Sequence, residues 1–185
     1  MTPRPAATAA GRPRTRARPA HAAPGRVGCA VITVSDTRGP GDDLSGDLLQ
    51  QRIERGGHAV VARVLTRDQI PAIRRAVRAA LARRDVDAVV ITGGTGVAGR
   101  DVTPEAVGPL VQRWLPGFGE LFRMLSYRQV GSAAWLSRAA AGVARGRLVV
   151  MLPGSPAAVR LAADRLLIPE LAHAARLLGR LKTEG

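Results

Sequence analysis

The sequence predicts an α/β fold built from βαβ units on a mainly parallel sheet. Two observations carry this expectation. From residue 28 onward, short β-branched runs alternate with longer amphipathic stretches, the pattern of consecutive βαβ units. The first run, Cys-Ala-Val-Ile-Thr-Val at 29–34, is almost continuously apolar, as a strand buried on both faces requires.

A helix is expected over 44–56, where Leu44, Leu48, Leu49 and Ile53 recur at helical spacing and Gly56-Gly57 stops it. Residues 60–65 read as a second strand. Ile70, Ile73, Val77 and Leu81 then mark one face of a helix whose other face carries Arg74, Arg75 and Arg78. Residues 86–91 form the third strand. Thr103-Pro104-Glu105 reads as an N-cap followed by proline at the first helical position. All five aromatic residues lie between Trp114 and Trp135, so 116–138 is expected to pack as a helical patch against the core or another subunit. Residues 141–143, a turn at Arg145-Gly146 and residues 148–152 form a hairpin into a last strand. Two helices, 156–167 and 169–180, finish the domain.

The chain has 185 residues, 46% of them hydrophobic and 23% charged, enough for one domain with a buried core. We place that domain at 27–185. No apolar stretch approaches the roughly 20 residues of a membrane span, and the expected compartment is the cytoplasm. The single cysteine, Cys29, excludes an internal disulfide, and the scattered His21, His58 and His173 offer no zinc spacing. Of the net charge of +14, six units come from arginines within residues 1–26, which hold five prolines and no acidic residue. Such a segment has little apolar surface to bury and is expected to be disordered. Only Lys182 is a lysine, a bias that follows genome composition, and the few aromatics argue against base stacking. No nucleic-acid or membrane partner is expected.

In open parallel sheets the ligand lies beyond the carboxyl ends of the strands. The segments that follow the strands carry Ser35-Asp36-Thr37-Arg38, then Thr66-Arg67-Asp68, then the stretch from Thr92 to Asp101, and last Pro153-Gly154-Ser155-Pro156. Gly94, Gly96 and Gly99 match the dinucleotide fingerprint formally, but the next helix begins too late to meet a pyrophosphate, and the expected acidic residue is missing. What survives is a glycine-rich loop, Gly93, Gly94, Thr95 and Gly96, whose N–H groups can approach phosphate oxygens. A loop of this kind needs a cation beside it. Asp36, Asp68 and Asp101 come from three strand ends and are placed to converge on hydrated magnesium, which points to phosphoryl or nucleotidyl chemistry.

These segments, with Asp43-Leu44-Ser45-Gly46, Arg100-Asp101-Val102-Thr103-Pro104-Glu105, Pro116-Gly117-Phe118-Gly119-Glu120 and Leu136-Ser137-Arg138-Ala139, resemble the MoaB/MogA family of molybdenum cofactor biosynthesis over about residues 27 to 180. The stretch Phe118-Gly119-Glu120-Leu121-Phe122-Arg123-Met124-Leu125-Ser126 resembles the MoaB branch most. The resemblance implies a three-layer α/β/α fold, a trimer or hexamer, and a molybdopterin adenylyltransferase that uses Mg2+ and ATP. It implies that Asp68 and Asp101 serve magnesium and nucleotide, that Gly93 to Gly96 line the ATP phosphates, and that Ser126, Ser137 and Arg138 meet the pterin or its phosphate. Pro153, Gly154 and Ser155 complete the expected substrate contacts.

Locally, plainer readings stand beside these. Asp101 and Asp68 read equally as caps of the helices that follow them, and Asp36 as a residue bonding its own turn. Pro153 to Pro156 read as a strand end and helix start. A pterin-binding or scaffold protein without catalysis is the second function consistent with the same fold, as gephyrin-type proteins use a related domain for assembly.

Overall fold

The structure, a computed structural model, describes residues 25–39 and 41–181. All but the last two residues of the segment 1–26, expected to be disordered, lie outside the described residues. The elements in chain order are β1 (Gly28–Val34), α1 (Leu44–Arg55), β2 (Ala59–Thr66), α2 (Ile70–Ala82), β3 (Ala88–Thr92), α3 (Thr103–Val107), β4 (Arg113–Trp114), α4 (Pro116–Val130), β5 (Ala140–Ala144), β6 (Arg147–Leu152), α5 (Pro156–Ala162) and α6 (Ile168–Leu177). The sheet order is β2-β1-β3-β6-β5-β4. The first four strands are parallel, and β5 and β4 join antiparallel at one edge.

Strand alternation divides the core in two, because successive side chains of a strand point to opposite faces. Cys29 and Val31 of β1, Val90 of β3 and Val150 and Leu152 of β6 face α1, α4, α5 and α6, where Leu49, Ile53, Phe122, Val159 and Leu171 close over them. Ala30, Ile32, Val34, Val89, Ile91 and Met151 face the other way, against Ile73, Val77 and Leu81 of α2 and Ala106 and Val107 of α3. Each large side chain so buried contributes roughly 1.5–3 kcal/mol. The three-layer α/β architecture read from the sequence is the one observed.

Three local expectations are corrected. Thr103 is the first residue of α3 rather than its cap; Val102 precedes the helix without a side-chain bond, and the Thr103 hydroxyl donates to the Gly93 carbonyl at 2.9 Å instead. The two separate C-terminal helices are joined by a π-turn, Ala163–Leu167. Pro169 has no N–H to donate to the preceding turn, so the wider turn absorbs the defect without a break. The two-residue strand β4 was not foreseen. The segment 116–138 does form a helical patch, α4 followed by a 3-10 turn at Gly131–Leu136.

Asp43 caps α1, its carboxylate accepting from the Gly46 N–H at 2.9 Å, from the Thr33 hydroxyl at 2.7 Å and from Arg63 at 2.9 Å. A Cβ on Gly46 would lie 2.1 Å from that carboxylate, so this position admits only glycine. At the amino ends of the strands, Asp87 is fully buried and accepts from the Gly28 N–H at 2.9 Å and the Arg180 guanidinium at 3.0 Å. Removing one partner of a buried ion pair costs about 3–5 kcal/mol. Asp87→Ala is therefore expected to lower stability by an amount in that range, measured by urea denaturation; a loss below about 1 kcal/mol would mean that the pair behaves as a surface one.

Candidate active site in a cleft at the carboxyl ends of the strands

Four loops meet beyond the strand ends. Ser35 follows β1, and its hydroxyl accepts from the N–H groups of Thr37 and Arg38 at 3.3 and 3.1 Å, which turns the chain sharply. Arg38 then reaches across to the Ser45 hydroxyl at 3.3 Å and the Gly154 carbonyl at 3.2 Å. Ser45 also donates to that carbonyl at 2.7 Å, so the start of α1 and the loop after β6 are tied together.

The glycine loop after β3 is shaped by close approach. Gly93 has φ 104°, and a Cβ there would lie 2.2 Å from the Val34 carbonyl oxygen. Gly94 has φ 62°, and its Cβ would lie 2.5 Å from the Thr103 hydroxyl and 2.6 Å from the Asp68 carboxylate. A Cβ on Gly96 would sit 2.6 Å from the Asp101 carboxylate. The glycines thus leave room for two carboxylates pressed against the loop backbone. Thr95 between them is 2% exposed, and its hydroxyl oxygen is buried with no hydrogen-bond partner among the described residues. A buried polar atom left unpaired costs about 1–3 kcal/mol, and in native structures such atoms are explained by local strain, an ordered water, an ion or a role in the site.

The loops enclose a cleft of about 530 Å³, lined among others by Asp36, Arg38, Asp68, Gly93, Gly94, Thr95, Gly96, Arg100, Asp101, Pro153, Gly154 and Ser155. Asp68 is the most perturbed group in it. Burial raises its carboxyl above the ordinary 3.8; the Val102 N–H lowers it, the charges of Asp101 and Asp36 raise it further, and Arg100 opposes them.

The capping readings of both aspartates fail. The Asp68 carboxylate accepts from the Val102 N–H at 3.1 Å, across the cleft floor, while Gln69 precedes α2 without a cap bond. The Asp101 carboxylate accepts from the Ala98 N–H at 3.1 Å, inside the loop. Asp36 bonds the Asp68 N–H at 3.1 Å rather than its own turn. Among the described residues no three acidic, histidine or cysteine side chains are grouped closely enough to cage a metal on their own. Asp36 is drawn to the Asp68 backbone. Asp68 and Asp101, hard oxygen donors on either side of a phosphate-sized loop, fit the one or two carboxylates that magnesium takes alongside substrate phosphates.

Over residues 30–173 the chain matches the family described as "Probable molybdopterin binding domain". The chain belongs to that family. The molybdenum cofactor biosynthesis protein B of Bacillus subtilis strain 168 is 51% identical over 155 residues, 83% of this chain and 91% of its own length. The protein of the same name from Escherichia coli K12 is 44% identical over 142 residues, 77% of this chain and 84% of its own. A crystal structure of a molybdenum cofactor biosynthesis protein B aligns with a TM-score of 0.82 at 45% identity, covering 86% of this chain and 99% of that one. A structure of MogA aligns with a TM-score of 0.73 at 29% identity, covering 82% and 99%. The resemblance to the MoaB/MogA family is thereby confirmed.

In this member of the molybdopterin-binding family, three residues expected at the substrate lie away from the cleft wall. Ser126 is buried in α4, Arg138 donates to the Gly96 carbonyl from behind the glycine loop, and Ser137 is not among the residues that line the cleft. Conversely, Arg38 and Arg100 line the cleft and were not singled out from the sequence, although an arginine at each end of the acidic set was a readable sign. Cys29 is buried in β1, and burial, with the Asp87 charge, pushes its thiol up, as core packing predicts.

A raised native carboxyl destabilises the fold once it ionises, because above 3.8 the unfolded state releases its proton first. Asp68→Asn keeps an acceptor for the Val102 N–H and removes the charge. The variant is expected to melt at a higher temperature than the wild type at pH 7 without ligand, with the difference vanishing below pH 3.8. Equal melting temperatures at pH 7 would mean that Asp68 is fully relieved by solvent.

Proposed function

We propose that this cleft catalyses adenylyl transfer to molybdopterin. A phosphate oxygen of molybdopterin attacks the α-phosphorus of ATP, the bond from that phosphorus to the bridging oxygen of the β-phosphate breaks, and pyrophosphate leaves with the electron pair. The observation that carries the reading is the cleft beyond the strand ends, in which a glycine loop packs against two carboxylates. The loop N–H groups would hold phosphate oxygens. Asp68 and Asp101 would hold Mg2+, which when bound neutralises charge developing on the phosphates. Arg38, fixed by Ser45 and the Gly154 carbonyl, would face a second anionic group from the opposite wall. Pro153, Gly154 and Ser155 form the floor on that side. The family match and the names of the relatives support molybdopterin as the acceptor.

A homo-oligomer, trimer or hexamer, in the cytoplasm belongs to the same proposal. Tyr127 at 63% and Trp135 at 74% exposure border one apolar hollow with Met124 and Ala134, on α4 and the turn that follows it. Surfaces of this kind mark protein contacts. Trp135→Glu is expected to convert the assembly to monomer in sedimentation velocity, and an unchanged assembly would move the interface elsewhere.

The deciding experiment is pyrophosphate release from Mg-ATP with and without molybdopterin, for wild type and Asp101→Asn. Release that depends on molybdopterin and falls by about 100-fold or more in the variant is the expected result. Wild type that binds the pterin without turnover would support the scaffold reading instead.

A further inference from the structure

Arg138 comes from the strap between the 3-10 turn and β5, and it engages the glycine loop from outside. Its backbone N–H donates to the Thr95 carbonyl at 3.0 Å. Its guanidinium does more. Nε donates to the Gly96 carbonyl at 2.8 Å, one terminal nitrogen to the Asp101 carbonyl at 2.5 Å, and the other to the Glu105 carboxylate on α3. One planar group therefore ties the start of the loop, its end and the helix that follows. All three guanidinium nitrogens are committed to protein acceptors, and the side chain borders a separate hollow with Trp114, Glu120 and Arg123 rather than the cleft. The strap is itself braced, since Arg123 of α4 donates to the carbonyls of Ser137 and Ala139, each at 3.3 Å.

The loop has little else to define its far half. From Gly96 to Asp101 it contains no helix or strand, and two bonds close it internally, Ala98 N–H to the Asp101 carboxylate and Asp101 N–H to the Ala98 carbonyl. Both depend on where the Asp101 backbone stands. We propose that Arg138 is a positioning residue for the glycine loop and Asp101, setting the spacing between loop and carboxylate without meeting the substrate. The proposal rests on the reading of this cleft as a nucleotide site. It also assigns a requirement for arginine, because a lysine ammonium is a single point and cannot span carbonyls at both ends of the loop.

The test is a double-mutant cycle in Mg-ATP affinity, read by calorimetry on the full chain: wild type, Arg138→Ala, Asp101→Asn and the double variant, with Arg138→Lys alongside. Arg138→Ala is expected to weaken binding at least tenfold and Arg138→Lys nearly as much. In the Asp101→Asn background the added loss should shrink to threefold or less, because the carboxylate that Arg138 positions is already gone. Fully additive losses would overturn the proposal, since they would mean that Arg138 acts on the ligand independently of Asp101. Hydrogen exchange of the unliganded protein supplies the second arm. Faster exchange in Arg138→Ala confined to residues 94–101 supports the clamp, whereas acceleration across the whole sheet would make Arg138 a general stability residue and overturn it. If the wild type binds no Mg-ATP, the nucleotide reading fails; local acceleration would still sustain the clamp, and unchanged exchange at 94–101 would sink it.

Discussion

Three parallel strands, β1, β3 and β6, are buried on both faces, and most of the molecule follows from that burial. Both sides of each strand must be apolar, so no reactive side chain can be carried on the sheet itself. Chemistry is expelled to the loops at the carboxyl ends, where the strands are closest and the backbone must turn without Cβ atoms. Gly93 lies against the Val34 carbonyl, and a Cβ on Gly154 would lie 3.2 Å from the Gly93 Cα. The glycines are the geometric consequence of three strand ends arriving together, and the exposed N–H groups they leave are the consequence of the glycines.

The same crowding sets the electrostatics. The loops bring Asp36, Asp68 and Asp101 into one cleft with Arg38 and Arg100, and the fold does not place a cation directly between the acids. Burial and the neighbouring acids therefore raise the Asp68 carboxyl against the opposing Val102 N–H and Arg100, and the Thr95 hydroxyl has no partner among the described residues. Interactions that lower the stability of the empty fold are those which a charged ligand relieves, so the local cost and the binding capacity have one source.

Much of this was legible in the sequence, and the reasons differ by element. The strands β1, β2, β3 and β6 announce themselves as apolar β-branched runs, and the rule that sites follow strand ends then selects Asp68, Asp101, Gly93 to Gly96 and Pro153 to Ser155 without further information. The hairpin at Arg145 and Gly146 was equally plain, with φ of 50° and 68°. Strand β4 was not, because two residues hold no periodicity, and Arg113 and Trp114 become a strand only by pairing with Val143 and Gly142. Helix α4 was expected only as part of a helical patch, because Pro116, Gly117 and Gly119 are poor helix formers that blur its start; Gly119 is required because a Cβ would lie 2.7 Å from the Ala139 carbonyl. The surroundings of Arg138 are hidden in the sequence for a similar reason. Its partner Gly96 is 42 residues away, and a string does not say whether an arginine faces a cleft or the back of the loop that lines it.

The buried carboxylate of Asp87 accepts from Gly28, the first residue of β1, and from Arg180, beyond the last helix. The chain therefore enters and leaves the fold at one address, at the end of the sheet remote from the cleft. Topologically the domain is close to a ring. One carboxylate thus closes the described chain on itself, and the loops of the cleft, at the opposite ends of the strands, take no part in the closure.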